Sequence, residues 1–162
     1  MRPKFIVDAN VGKLARWLRI MGYDTLFINN IDDERLIDIG LREKRVVLTK
    51  DTQVMRRRVV VSGRLEAILI KDDDAKTQLR QVVDTLKLNR RRKFSRCLEC
   101  NEPLITRTRE EVRQLVPPYV FKTQSQYVQC PACRRIYWRG THWQRMNHEL
   151  GLFAEVADAA GQ

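Results

Sequence analysis

Histidine is scarce in this chain, with two residues in 162, and glycine occurs seven times. No Ser/His/Asp or Cys/His nucleophilic arrangement suggests itself. The glycines, Gly12, Gly22 and Gly40 among them, are scattered and form no phosphate-cradling loop. Long apolar runs are also missing. No window approaches the roughly 18 uncharged apolar residues that a bilayer span needs. The N-terminal run from Met1 reaches Asp8 before the apolar segment of a signal peptide could form. A soluble, cytoplasmic protein with no membrane partner is therefore expected.

Acidic residues are in deficit: 20 Asp and Glu face 31 Lys and Arg, a formal net charge of +11. Such an excess attracts polyanions, with nucleic acid the default partner. The larger share of the excess lies after residue 86. The chain is not short of core material, since 43% of it is hydrophobic, too much for a disordered segment.

Residues 4–86 alternate between short β-branched runs and helical patterns. Strands are expected at Lys4–Val7, Thr25–Ile28, Arg45–Thr49 and Glu66–Ile70. Between them, Gly12–Met21 places Leu14, Trp17, Leu18 and Met21 on one helical arc and Lys13, Arg16 and Arg19 on the other. Gly22 supplies the stop. A second helix is expected from about Asp33 to Glu43, and a third from the Asp72–Asp74 cap to Leu86. This order implies an α/β fold with a parallel sheet flanked by helices. Lys87–Arg96 is so rich in basic residues that it resembles a linker or strap. Beyond it, Arg109–Leu115 is a short helical candidate stopped by Pro117-Pro118, and Arg135–Arg139 a strand. The boundaries drawn are 1–90 for the α/β part, 91–150 for the cysteine-bearing part and 151–162 for a tail without strong pattern.

The strongest motif is Cys97-x2-Cys100, followed 29 residues later by Cys130-x2-Cys133. Two such knuckles supply the four soft ligands of a tetrahedron. Disulfides are the competing reading, but the expected compartment is reducing. The pattern predicts one structural Zn²⁺ in a zinc ribbon. Four thiolates close its coordination shell, so the zinc folds the chain and performs no chemistry. Neither His142 nor His148 is needed as a ligand, although His142 is a candidate phosphate contact.

Asp8 and Asp51 each follow the C-terminal end of an expected parallel strand, the edge where sites assemble in open α/β sheets. Asp33 falls on the arc of Leu36, Ile37 and Gly40, facing the sheet. Three converging carboxylates suit a hard cation, Mg²⁺ or Mn²⁺, which supports phosphodiester hydrolysis. Helix capping is the alternative role for each acid. Lys13 and Arg16 are candidates for holding the scissile phosphate. Arg90, Arg91, Arg92 and Lys93 are candidates for tracking an RNA backbone, with a solvated face as the alternative. Tyr137, Trp138 and Trp143 could stack on bases or simply form the core of a small ribbon.

The runs Phe5–Arg19, Gly22–Thr25, Asp33–Leu36 and Arg45–Asp51 resemble a PIN-like nuclease domain. Together with both cysteine pairs and Tyr137–Trp143, the chain resembles the Mut-seven C-terminal RNase domain family over about residues 3–146. Gly12–Arg19 is the most specific part. The resemblance implies a PIN-like fold joined to a zinc ribbon and a metal-dependent ribonuclease whose acids are Asp8, Asp33 and Asp51. A typical PIN site has a fourth acid, for which Asp72 and Asp73 are the candidates. The competing function is a non-catalytic adaptor in which the ribbon binds RNA or protein.

Overall fold

A computed structural model describes the backbone of residues 2–160 and the side chains of residues 2–152. Its first sheet contains β1 (Phe5–Val7), β2 (Thr25–Phe27), β3 (Val46–Thr49) and β4 (Ala67–Leu69), in the order β2-β1-β3-β4. All three pairings are parallel, with Phe5 opposite Thr25 and Val46, and Val47 opposite Ala67. The α/β architecture expected from the sequence is thus present.

Period-two alternation divides the sheet between two cores. Phe5, Val7, Val46 and Leu48 face α1 (Gly12–Ile20) and α5 (Ala75–Leu86). Ile6 and Val47 face Leu36, Ile37 and Ile39 of α2 (Asp33–Glu43). A Cβ on Gly40 would meet Leu65 Cδ1 at 2.9 Å, so its absence lets α2 lie close to the sheet. Two short helices the sequence did not suggest, α3 (Thr52–Met55) and α4 (Arg58–Val61), lead into β4.

The second sheet is antiparallel and three-stranded, β5-β6-β7, built from Ile105–Arg107, Tyr127–Gln129 and Ile136–Trp138. Its core is small: Val112, Val116, Val120 and Tyr127. The expected helix over Arg109–Leu115 is instead a run of turns, closed by i to i−3 bonds such as Leu115 N–H to Val112 C=O at 2.8 Å. Proline also acts in the opposite sense to that expected. Pro118 opens α6 (Pro118–Thr123), because the first turn of a helix needs no N–H from it.

The basic segment 87–96 is a seated strap. The Tyr23 hydroxyl accepts from Asn89 N–H at 2.9 Å, and Phe94 N–H donates to Ile20 C=O at 2.7 Å. Gly22, at φ +90°, passes so close that a Cβ would lie 2.1 Å from Arg92 C=O. Any side chain there would push the strap off α1. The last helix, α7 (Thr141–Ala160), continues through the segment expected to be a patternless tail, whose residues 161 and 162 lie outside the described ones. Met146 and Leu150 of α7, with Leu98, join the core that contains Phe5 and Leu48. None of the described helices is long and apolar enough to cross a membrane.

Candidate acidic centre and cysteine centre

Asp8 and Asp51 emerge from adjacent strands at the C-terminal edge of the parallel sheet. Asp8 is 7% exposed, and both its oxygens are engaged. Oδ1 accepts from Ala9 N–H at 2.8 Å, and Oδ2 accepts from the Thr49 hydroxyl at 2.7 Å. That same hydroxyl oxygen accepts from Asp51 N–H at 3.0 Å. Thr49, fully buried, therefore links the two acids. Asp51 Oδ1 caps α3 by accepting from Gln53 N–H at 2.8 Å. Capping and site formation, posed as alternatives from the sequence, are compatible because each carboxylate has two oxygens.

Asp33 is the first residue of α2, while Asp32 provides the cap through its acceptance from Arg35 N–H at 2.8 Å. The Asp33 carboxyl is pushed above the usual carboxylate range, first by burial. The charges of Asp51 and Asp8 and a hydrogen bond shared with Asp51 add to the effect, opposed by Arg57. The three acids thus act on one another electrostatically. Such mutual repulsion is what a divalent cation relieves; among the described residues, only the four cysteines bring three or more ligand atoms close enough together to hold a metal ion. Asp72, Asp73 and Asp74 are exposed. Asp73 is ion-paired with Lys50, and Asp74 caps α5 by accepting from Thr77 N–H at 3.0 Å.

The repulsion has a measurable consequence. A carboxyl whose folded pKa is raised holds its proton more tightly when folded, so its ionisation destabilises the fold. With zinc in place and no other divalent metal added, the Asp33 contribution to stability should rise as pH falls through its raised value toward 3.8, its unperturbed value, while Asp24, held low, contributes in the opposite sense. Asp33→Asn should remove the Asp33 contribution and raise the melting temperature at pH 7 under the same conditions. Melting curves of parent and variant across pH 3–8 check both. An unchanged pH dependence in the variant would mean that Asp33 is not the group responsible.

The four cysteine sulfurs lie within 4.8 Å of one another. Zinc–sulfur bonds of about 2.3 Å on a tetrahedron place sulfurs about 3.8 Å apart; Cys97 Sγ and Cys133 Sγ are 3.7 Å apart. The two knuckles repeat one backbone design. Cys100 N–H donates to Cys97 Sγ at 3.4 Å and Cys133 N–H to Cys130 Sγ at 3.5 Å. Asn101 and Arg134, each just after the second cysteine, adopt left-handed φ values of 67° and 66°. Their N–H groups close the turns onto Cys97 C=O and Cys130 C=O, both at 2.9 Å. Left-handed backbone is costly for Arg134 and well tolerated by Asn101, and aiming paired sulfurs at a shared point is what the two turns have in common.

Without a cation, crowding divides the thiols. A hydrogen bond with Cys133 and burial push Cys100 up to about 12, whereas the Arg135 backbone N–H lowers Cys133 to about 7. A metal such as zinc fits this set, displacing the protons as it binds.

Several residues position the cysteine centre that their sequence context did not reveal. Arg19, expected on the solvent arc of α1, is 9% exposed. Its Nη1 donates to Leu98 C=O at 2.8 Å and its Nε to Thr25 C=O at 3.0 Å, pinning the first knuckle to α1 and β2. The Asn101 carbonyl accepts from Thr25 N–H at 2.9 Å while its amide donates to Asp24 Oδ1 at 2.7 Å. Burial pushes the Asp24 carboxyl up, but hydrogen bonds from Arg45 and Asn101 outweigh it and hold it below the usual range. The Tyr137 hydroxyl lies 3.2 Å from Cys97 Sγ and accepts from Leu98 N–H at 3.3 Å. Burial, then its bond with Cys97, raises the phenol.

Thr25 begins β2, so the first knuckle docks at the N-terminal edge of the parallel sheet, opposite the acids. Among the candidate cations, Lys13 is exposed on the first turn of α1, whereas Arg16 is paired with Glu99 at 3.2 Å. Lys93 donates to Asn147 Oδ1 at 2.8 Å, Arg91 N–H to Asn89 Oδ1 at 3.0 Å, and the Arg92 carbonyl packs on Gly22. Arg90 Nη1 lies beside Gly151 of α7. His142 is exposed; Trp138 packs on the small ribbon core, and Trp143 lies 4.8 Å from the Phe94 ring.

No curated protein and no solved structure matches the chain. Residues 3–150, nearly its whole length, match the Mut7-C RNAse domain, and the chain therefore belongs to that family.

Proposed function

We propose that the protein is a metal-dependent ribonuclease whose chemistry belongs to Asp8, Asp33 and Asp51, with a structural zinc held by Cys97, Cys100, Cys130 and Cys133. The observation that carries the reading is the meeting of Asp8 and Asp51 at one sheet edge through the Thr49 hydroxyl, with Asp33 in the field of both, in a chain of an RNase family. A PIN-like nuclease part over about residues 1–90 and a ribbon over 91–150 that aids RNA binding complete it, in the cytoplasm.

Bound Mg²⁺ or Mn²⁺ would activate water and stabilise the charge that develops in an in-line attack on phosphorus. The protein's own contribution is orientation. Ala9 N–H and the Thr49 hydroxyl fix Asp8, and Gln53 N–H and Thr49 fix Asp51. Asp33, raised by burial and by the charges of Asp51 and Asp8, is the acid whose charge a bound cation would stabilise. Lys13, exposed one turn from Asp8, is placed to hold the scissile phosphate. The zinc, enclosed by four thiolates at the other edge of the sheet, supplies no step.

Labelled RNA and DNA of one sequence, incubated with Mn²⁺, with Mg²⁺ and without added divalent metal, test the proposal. Cleavage of RNA only with added metal is expected. Chelators are best avoided, since they would also strip the zinc. RNA left intact under all three conditions would instead favour the non-catalytic adaptor.

A further inference from the structure

A groove of about 970 Å³ runs along the ribbon, bounded by the strap, the β5-β6-β7 sheet, α6 and the start of α7. None of Asp8, Asp33 and Asp51 lines it. Its lining combines two residue classes. Tyr119, Trp138 and Trp143 offer aromatic surface, and Tyr119 is 69% exposed. Lys93, Arg96, Arg107 and Arg139 offer positive charge, and no Asp or Glu lines the groove.

That charge is largely uncompensated. Lys93 donates to the neutral Asn147 amide, Arg96 to Asn101 C=O at 2.7 Å, and Arg139 lies 5.0 Å from the Trp143 ring centroid. Among the described residues, Arg107 is ion-paired with Glu111 at 2.8 Å and Arg96 feels the charge of Asp24, which leaves Lys93 and Arg139 without an acid partner. A groove that exposes the Tyr119 ring beside the Lys93 and Arg139 cations matches the chemistry of single-stranded nucleic acid, whose bases stack while its phosphates meet charge. A duplex hides its base faces and would leave the ring unused.

We infer that this groove binds a single-stranded segment of RNA, with a base stacked on Tyr119 and phosphates on Arg139 and Lys93. That the strand is RNA rests on the ribonuclease reading; the stacking site does not. The groove holds the substrate away from the acids, so its loss weakens binding and leaves the reacting geometry alone.

The test uses the full chain carrying Asp8→Asn, to block cleavage, in buffer without added divalent metal or chelator. Fluorescence anisotropy of a labelled single-stranded 12-nucleotide RNA reports Kd. Tyr119→Ala and Arg139→Ala should each raise Kd about 5-fold or more, the lower end of what one base stack contributes. Tyr119→Phe, which keeps the ring, should bind like the parent. The same 12-mer as a duplex should bind at least about 10-fold more weakly than the single strand. Unchanged Kd in both alanine variants, or equal binding of duplex and single strand, would overturn the proposal. Exposure of both side chains makes misfolding a poor explanation, and matched melting curves verify it. A chain with Asp8 intact that does not cleave RNA in Mn²⁺ or Mg²⁺, together with binding lost in Tyr119→Ala, would sink the ribonuclease reading and leave the groove standing. Cleavage with unaltered binding in the variants would do the reverse.

Discussion

Cys97→Ser is expected to lower the melting temperature by 10 °C or more, on the order of several kcal/mol, and to abolish stoichiometric zinc. Cys97 is fully buried, and its sulfur is the meeting point of Cys133 Sγ, the Tyr137 hydroxyl and the Cys100 N–H. The ribbon has little else to hold it: three strands of three residues over a core of four buried side chains. A core that small does not sustain a fold alone. A four-thiolate zinc contributes about 10–16 kcal/mol in comparable small modules, far above what the four side chains supply. Arg19 and Asn101 tie the first knuckle to Thr25, so the loss should reach the parallel sheet as well. Metal analysis and near-ultraviolet circular dichroism of purified parent and variant measure both effects. A variant that keeps its zinc and its melting curve would show that the cysteines do not hold the ribbon.

Asp51→Asn is expected to reduce RNA cleavage by about 100-fold or more while leaving RNA binding and folding intact, and Asp8→Asn should behave alike. Asparagine preserves the acceptor oxygen, so Asp51→Asn retains the α3 cap from Gln53 N–H. What disappears is one negative charge facing Asp33. Cation-assisted stabilisation of a phosphoryl transition state is worth several kcal/mol, and each 1.4 kcal/mol or so is tenfold in rate. Single-turnover cleavage in saturating Mn²⁺, run beside anisotropy binding, separates chemistry from affinity. Variants that cleave as fast as the parent would place the chemistry elsewhere.

Several elements of this picture are local in origin and so were legible in the residues. A C-x-x-C turn closes within four residues, and its sulfurs converge whatever the rest of the chain does. The alternation of β-branched runs with 3.6-residue periods set the parallel strands and their helices to within a residue or two at most boundaries. Asp8 and Asp51 stood out because they follow those strands directly. Arg109–Leu115 misled for the same reason: its apolar spacing suits a helix, but a run of turns buries Val112 in the ribbon core instead.

The cysteine centre, the strongest signal in the sequence, needed its spacing alone to be found, yet its place needed the fold. Tertiary structure alone decided that the first knuckle docks at the edge opposite the acids, through Arg19, which periodicity assigned to solvent. It also decided that the Thr49 hydroxyl joins Asp8 to Asp51, and that Lys93, Tyr119 and Arg139 line one groove. These are meetings between segments tens of residues apart. Hydrophobic period and ligand spacing act over a few residues, whereas which distant side chains meet depends on how whole layers bury their apolar faces against one another.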